Sequence, residues 1–327
     1  MQALVQDVYG PSAVLRLDEV DRPEPAAGQV LVRVAAASVN AADWHIMRGE
    51  PKVARLMDRN IFGRTGPRER IRGRDFAGLI DAVGPGVTGW RVGDAVLGED
   101  DATLAEYAVV DQACLARKPD ALSFEEAAAM PLAAVTADLC VGQGGVQAGH
   151  QVLIIGASGG VGTFAVQLAA ARGATVTAVC STRNIDLVTS LGAEQVVDYT
   201  REDFTRAGRA YDVVLDLVGN RGLRDLRRVV APGGRLVLSG GGNPGQGTYL
   251  GPVGLMARGG LFGRLLGLRV QVPLAAPDAE RLGALADLAA SGAIRPVVER
   301  TYPLAEGVQA VRHLEVEHAR GKVVIAM

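Results

Sequence analysis

VLIIGASGGVGTFAVQLAAARGATVTAVCSTR, residues 152–183, decides the fold of this 327-residue chain. It opens with Val152-Leu153-Ile154-Ile155, an apolar run of the kind that forms a strand buried on both faces. A glycine-rich turn follows, Gly156-Ala157-Ser158-Gly159-Gly160-Val161-Gly162, then an amphipathic run from Thr163 to Arg172 and a second apolar strand from Ala174 to Val179. Strand, Gly-rich turn, helix and strand in that order form the βαβ unit that seats a dinucleotide. The glycines let the chain turn tightly and let backbone N–H groups approach a pyrophosphate. The helix N-terminus adds unpaired donors and a positive dipole end. Ser158, Gly159, Gly160, Val161 and Gly162 are therefore candidate pyrophosphate contacts.

The end of the second strand bears on which dinucleotide. An NAD site carries Asp or Glu about 20 residues past the first glycine, where it holds the ribose 2′-hydroxyl. Here that position falls at Cys180, followed by Ser181-Thr182-Arg183-Asn184. No carboxylate stands there to repel a 2′-phosphate, and a hydroxyl and a guanidinium are available to bind one. The pattern favours NADP(H), with Ser181 and Arg183 as phosphate contacts.

Composition bounds the rest. The length predicts two domains, and 48% hydrophobic with 21% charged residues is usual for a globular protein. A net charge of −2 gives neither a nucleic-acid footprint nor a polybasic membrane patch. The N-terminus has no basic flank followed by an apolar stretch, so no signal peptide is expected. The longest apolar candidate, 252–272, is interrupted by glycines and arginines, so no transmembrane helix is expected either. Cys114, Cys140 and Cys180 are isolated, which fits a reduced, cytoplasmic protein.

The first 123 residues read as β-rich, with strands near 30–37, 78–84, 92–97 and 105–110 between Gly and Pro turns. Ser123-Phe124-Glu125-Glu126 resembles a capping box, and helical runs continue past Pro131 to Val141. After the βαβ unit, strands at 195–199, 211–216, 234–239 and 270–274 alternate with helices, implying a doubly wound parallel sheet. Two helices, 279–291 and 304–315, then alternate with strands at 296–299 and 322–326. The expected division is 1–123, with 275–327 returning to it, and 124–274 for the cofactor. Residues 240–251, rich in glycine, read as a loop beside the cofactor.

Taken together these residues resemble the medium-chain dehydrogenase/reductase superfamily over essentially the whole chain. Gly73-Arg74-Asp75-Phe76-Ala77-Gly78 with Val83-Gly84 and Val87 is similar to its catalytic-domain signature, and Arg91-Val92-Gly93-Asp94-Ala95-Val96 to its GD-V turn. Met130-Pro131 with Val135-Thr136-Ala137 resembles the entry to its cofactor domain. His318-Ala319-Arg320-Gly321-Lys322-Val323-Val324 is similar to the end of its quinone-oxidoreductase branch. The resemblance implies a Rossmann cofactor domain, a β-rich GroES-like catalytic domain and a homodimer formed by edge-to-edge pairing of the cofactor-domain sheets.

Zinc-dependent members carry a Cys early and a Gly-His-Glu in the signature, where this chain has Asn40, Arg74 and Asp75. Asn is a poor zinc ligand and Arg has no lone pair to give. The four histidines show no ligand spacing, and a zinc-free member with no metal ligands is expected. Arg74 and Asp75 read as an ion pair where those ligands would sit.

Hydride transfer needs the charge on the acceptor oxygen stabilised. Without zinc, a conjugated enone or a quinone is the more forgiving acceptor, since its charge spreads over an enolate or an aromatic oxygen. The expected function is therefore zinc-independent, NADPH-dependent reduction of a small electrophile, a quinone or α,β-unsaturated carbonyl. The alternatives are a zinc-independent alcohol or ketone dehydrogenase and a non-catalytic NADPH-binding sensor. By resemblance Asn40 contacts the nicotinamide ribose region, Asp43 supports it, Trp44 walls the substrate site and Thr136 lies near the carboxamide. Tyr199 is an adenine-side candidate, and Val218 and Gly240, with Gly219, Ser239 and Gly241, end later strands at the same sheet edge. Arg320 and Lys322 are within the candidates to reach the cofactor, although basic residues of this kind are usually solvated.

Overall fold

The computed structural model describes residues 1–57, 61–240, 251–317 and 319–327. The loop at 241–250, with Gly241, and His318 of the C-terminal motif lie outside the described residues. The chain divides into two compact units: 1–135 with 276–327, and 136–275. The division falls inside the helix Pro131–Gln143 rather than at 123/124. The short helix Phe124–Ala128, capped by Ser123 and Glu126, packs on strands of the first unit, which carries that segment with it.

In the first unit the chain begins with a hairpin-like pair, β1 (Gln2–Val5) and β2 (Arg16–Glu19). Five more strands follow before the crossing: β3 (Gln29–Val39), β4 (Asp75–Val83), β5 (Ala95–Glu99), β6 (Tyr107–Asp111) and β7 (Leu115–Arg117). Alternating apolar residues of β3, including Val30, Val32 and Val34, point into a core with Phe76, Ile80 and Val96.

The second unit is a parallel sheet of β8 (Gln151–Ile155), β9 (Thr175–Cys180), β10 (Gln195–Asp198), β11 (Tyr211–Asp216), β12 (Val230–Leu238) and β13 (Arg269–Gln271). Its strand order is β10-β9-β8-β11-β12-β13, all parallel, the doubly wound arrangement expected. Helix Gly160–Ala171 differs from the amphipathic reading in being buried from Gly162 through Ala169. Its polar members are satisfied locally, Gln167 Nε2 donating to the Thr163 carbonyl at 2.9 Å and Thr163 Oγ1 to the Gly160 carbonyl at 2.9 Å.

The chain then returns to the first unit with helix Ala279–Ala290, β14 (Val298–Pro303), helix Gly307–Val316 and β15 (Lys322–Ala326). These complete a seven-stranded sheet ordered β14-β15-β3-β4-β5-β7, with β6 pairing the first half of β3. β15 lies antiparallel to the second half of β3, and β4 antiparallel to β3 on its other side. The last residues of β3 therefore meet the first residues of both β4 and β15 at one end of the sheet. Among the described residues no helix is long and apolar enough to cross a membrane.

Candidate functional site

In the first unit, that sheet end gathers a buried polar cluster. Ser38 is in register with Asp75, and Val39 with Val323, so Asn40, Asp75 and Lys322 converge where three strands start or stop. Lys322 Nζ donates to Asn40 Oδ1 and, at 3.1 Å, to Asp75 Oδ2. Asp75 also accepts from Ser38 Oγ at 3.0 Å and from the Leu132 N–H at 3.1 Å. The Asp75 side chain is 0% exposed and that of Lys322 3%. The C-terminal lysine is thus a buried member of the site, not the solvated residue its type suggests.

An ammonium has donors and no acceptor, so it fixes the orientation of the Asn40 amide: Oδ1 must face Lys322. Nδ2 is then turned elsewhere, and among the described residues it is buried with no hydrogen-bond partner. Leaving such a donor unsatisfied costs about 1–3 kcal/mol, which a ligand acceptor would recover. Asn40 also starts helix Ala41–Arg48, and its own N–H donates to Asp43 Oδ2 at 2.7 Å. Burial lifts the Asp43 carboxyl to about 6; this N–H opposes the rise and the nearby Asp75 adds to it.

One expectation is corrected here. Arg74 and Asp75 do not pair, because successive residues of an extended chain point to opposite faces. Arg74 Nε instead donates to Glu99 Oε1 at 3.0 Å and its Nη1 to Asp101 at 3.2 Å. Burial, then the charge of Asp75, still raise Glu99 to about 7 against the pull of Arg74. Trp44, expected to wall the substrate site, is 5% exposed, belongs to the core cluster with Leu4 and Met47, and stacks on His45 at 3.8 Å. Of the three positions where the resemblance sets zinc ligands, Asn40 and Asp75 accept from the Lys322 ammonium and Arg74 donates to Glu99 and Asp101. Among the described residues no group of three or more His, Cys, Asp or Glu side chains is arranged to hold a metal.

In the second unit the candidate residues follow the carboxyl ends of the parallel strands. Gly156 (φ +83°) leaves β8, and a Cβ there would lie 2.7 Å from Val218. A Cβ on Gly162 would come within 2.1 Å of the Gly156 carbonyl oxygen, so only glycine lets the helix start this close to the turn. Gly159 precedes the helix without a side-chain cap, leaving the first-turn N–H groups, those of Gly160 and Val161 among them, to an incoming anion. Val218 and Gly240 come together: a Cβ on Gly240 would lie 2.2 Å from the Val218 carbonyl carbon.

Asp216, missed from the sequence, holds that turn by accepting from the N–H groups of Val218 (3.1 Å) and Gly219 (2.8 Å). It is 0% exposed, and burial raises its pKa. Its position at the end of an apolar strand was the available signal. After β9, Ser181 is partly exposed and Arg183 exposed, while Tyr199, following β10, is 52% exposed. Asp198 sits beside them in register with Cys180, where it accepts from the hydroxyls of Thr182 and Thr200. Thr136, at the start of this unit, is 7% exposed, and its Oγ1 has no partner among the described residues.

Known proteins share this plan. A family model described as an alcohol dehydrogenase GroES-like domain matches residues 26–120, and one described as a zinc-binding dehydrogenase matches residues 191–325. A 2-methylene-furan-3-one reductase of Solanum lycopersicum is 33% identical over 340 residues, spanning 99% of this chain and 79% of the relative. An NADPH-dependent alkenal/one oxidoreductase, chloroplastic, of Arabidopsis thaliana is 32% identical over 341 residues, with the same coverage of 99% and 79%. The structure of the quinone oxidoreductase from Coxiella burnetii matches with a TM-score of 0.87 at 31% identity, covering 100% of this chain and 99% of that one. With relatives this similar over nearly its whole length, and a glycine turn on a doubly wound sheet, the chain belongs to the medium-chain dehydrogenase/reductase superfamily, in its quinone-oxidoreductase branch.

Proposed function

We propose that the chain is an NADPH-dependent reductase of quinones or α,β-unsaturated carbonyls that works without zinc. The observation that carries this reading is the Lys322 ammonium held between Asn40 and Asp75. By the family resemblance those two positions correspond to metal ligands, and here they serve a fixed side-chain cation. A divalent ion would have to displace Lys322 from a site where it is 3% exposed.

NADPH, when bound, supplies the hydride to the electrophilic carbon. The residues fit it at several points. Asn40 Nδ2 and Thr136 Oγ1 are buried polar atoms without partners, suited to the nicotinamide ribose and carboxamide. Ser158 and the turn through Gly159, Gly160, Val161 and Gly162 hold the pyrophosphate, with Val218 and Gly240 beside it. Ser181 and Arg183 bind the 2′-phosphate, Tyr199 lies on the adenine side, and Asp43 fixes Asn40 through its N–H. The acceptor's developing charge is delocalised over an enolate or hydroquinone oxygen, and solvent protonates it, so no Lewis acid is required. The names of the two plant relatives agree with an activated alkene as acceptor.

A homodimer and a cytoplasmic location belong to the same reading. β13 is an edge strand, and Leu261, Phe262, Leu265 and Leu274 around it are 47–85% exposed, which suits pairing with a second copy.

The test is NADPH oxidation, with NADH in parallel, against 9,10-phenanthrenequinone, an alkenal and a simple ketone after EDTA treatment. Chelator-resistant, NADPH-selective turnover of the quinone or alkenal is expected. Loss of activity with the chelator would refute zinc independence. Turnover of the ketone alone would favour an alcohol dehydrogenase, and silence on every acceptor despite binding would favour a sensor.

A further inference from the structure

Asn184 ends the short helical turn Thr182–Asn184 that follows β9 and is 4% exposed. Its Nδ2 donates to Ser158 Oγ at 2.9 Å and to Ser181 Oγ at 3.3 Å. Its Oδ1 is buried and meets no partner among the described residues. The two serines belong to different loops, one in the glycine turn after β8 and the other after β9, and this single amide joins them.

A hydroxyl carries one proton and two lone pairs. An N–H that donates to it occupies a lone pair and leaves the proton to be given to something else. With Asn184 donating to both, Ser158 and Ser181 each have their proton directed away from the amide and available to an acceptor. Hydrogen bonds to a charged acceptor are roughly twice as strong as those of a neutral pair.

We propose that Asn184 is a specificity-determining positioning residue: by donating to both serine hydroxyls it commits them as donors to the phosphates of a dinucleotide bearing a ribose 2′-phosphate. The inference rests on the reading above of Ser158 and Ser181 as phosphate contacts. It adds that their polarity is set by a third residue acting through the two hydroxyls. Aspartate has nearly the same shape as asparagine and the opposite polarity. In its place the serine protons would be drawn back to the carboxylate, and the hydroxyls would present lone pairs to the phosphates.

The experiment is equilibrium titration of NADPH and NADH by nicotinamide fluorescence, with 2′,5′-ADP as competitor, and thermal melts to verify folding. The variants are Asn184→Asp, Asn184→Ala, the double Ser158→Ala/Ser181→Ala, and the double combined with Asn184→Asp. Asn184→Asp is expected to weaken NADPH binding roughly 30-fold or more and NADH binding several-fold less, since only NADPH uses both hydroxyls. Asn184→Ala removes the donor without adding charge and is expected to cost NADPH about fivefold. In the double-alanine background Asn184→Asp should cost only about threefold, because the aspartate then has no hydroxyl to reorient and acts through its charge alone. An equal loss in both backgrounds, or NADPH binding within about twofold of wild type in Asn184→Asp and Asn184→Ala, would overturn the inference while leaving the serine contacts standing. A wild-type protein that binds NADH as tightly as NADPH would instead overturn the 2′-phosphate reading of Ser181, and the inference with it.

Discussion

Replacing Lys322 by methionine keeps an unbranched side chain one atom shorter and removes the cation from a place where water does not reach. Among the described residues Asp75, 0% exposed at its side chain, would keep Ser38 Oγ and the Leu132 N–H, and Asn40 Oδ1 would lose the ammonium. Removing one member of a buried ion pair typically costs about 3–5 kcal/mol, because the other charge is left without compensation. For a unit of this size each kcal/mol lowers Tm by about 2–4 °C, so Lys322→Met should melt roughly 6–20 °C below wild type. Asp75→Asn should cost a similar amount by stranding the ammonium. The double variant carries no buried charge at this position and should recover most of the loss, giving a coupling energy of about 2 kcal/mol or more. Calorimetric or circular-dichroism melts of the four proteins measure it. A Lys322→Met protein within about 1 kcal/mol of wild type, or strictly additive losses in the double variant, would refute the buried-pair account and with it the argument for how Asn40 is oriented.

Three other outcomes are expected. Asp43, lifted to about 6, and Glu99, lifted to about 7, bind protons more tightly in the folded than in the unfolded chain, so stability should fall as pH rises from about 4 to 7. Urea titrations across that range should show a slope that Asp43→Asn and Glu99→Gln each reduce; an unchanged slope in both would contradict the assignment. Arg183→Ala should raise KM for NADPH by roughly tenfold and leave KM for NADH alone, in line with a charge-assisted phosphate contact, and equal effects on both coenzymes would remove Arg183 from that role. Gly162→Ala puts a methyl 2.1 Å from the Gly156 carbonyl oxygen, and the strain should cost about 1–3 kcal/mol and at least tenfold in dinucleotide affinity; a variant that binds normally would mean the helix start can move.

The cofactor unit was legible because its signals are local. Apolar strands, the glycine turn and the helix lie within one stretch of chain, and each reads by its own period before any long-range contact is known. The candidate site in the first unit was legible only in part. The family resemblance pointed to Asn40 with Asp43 in support, and the structure joins the two at 2.7 Å. Lys322 did not stand out, because its partners Asn40 and Asp75 are 282 and 247 residues away and only the antiparallel pairing of β15 with β3 brings them together. Arg74 misled for the opposite reason: adjacency in sequence suggested a pair that an extended backbone forbids.

The unit that contains Asn40 is interrupted by the whole cofactor unit, and this orders events during synthesis. Residues 136–275 leave the ribosome with all six of their strands in hand and can fold at once. The seven-stranded sheet cannot. Until β15 is made, residues 36–39 of β3 present bare N–H and C=O groups along an open edge, where β15 will later pair. During that interval the half-built sheet is the aggregation-prone part of the nascent chain, and a chain cut anywhere between 276 and 321 keeps a complete dinucleotide-binding sheet beside one missing a central strand.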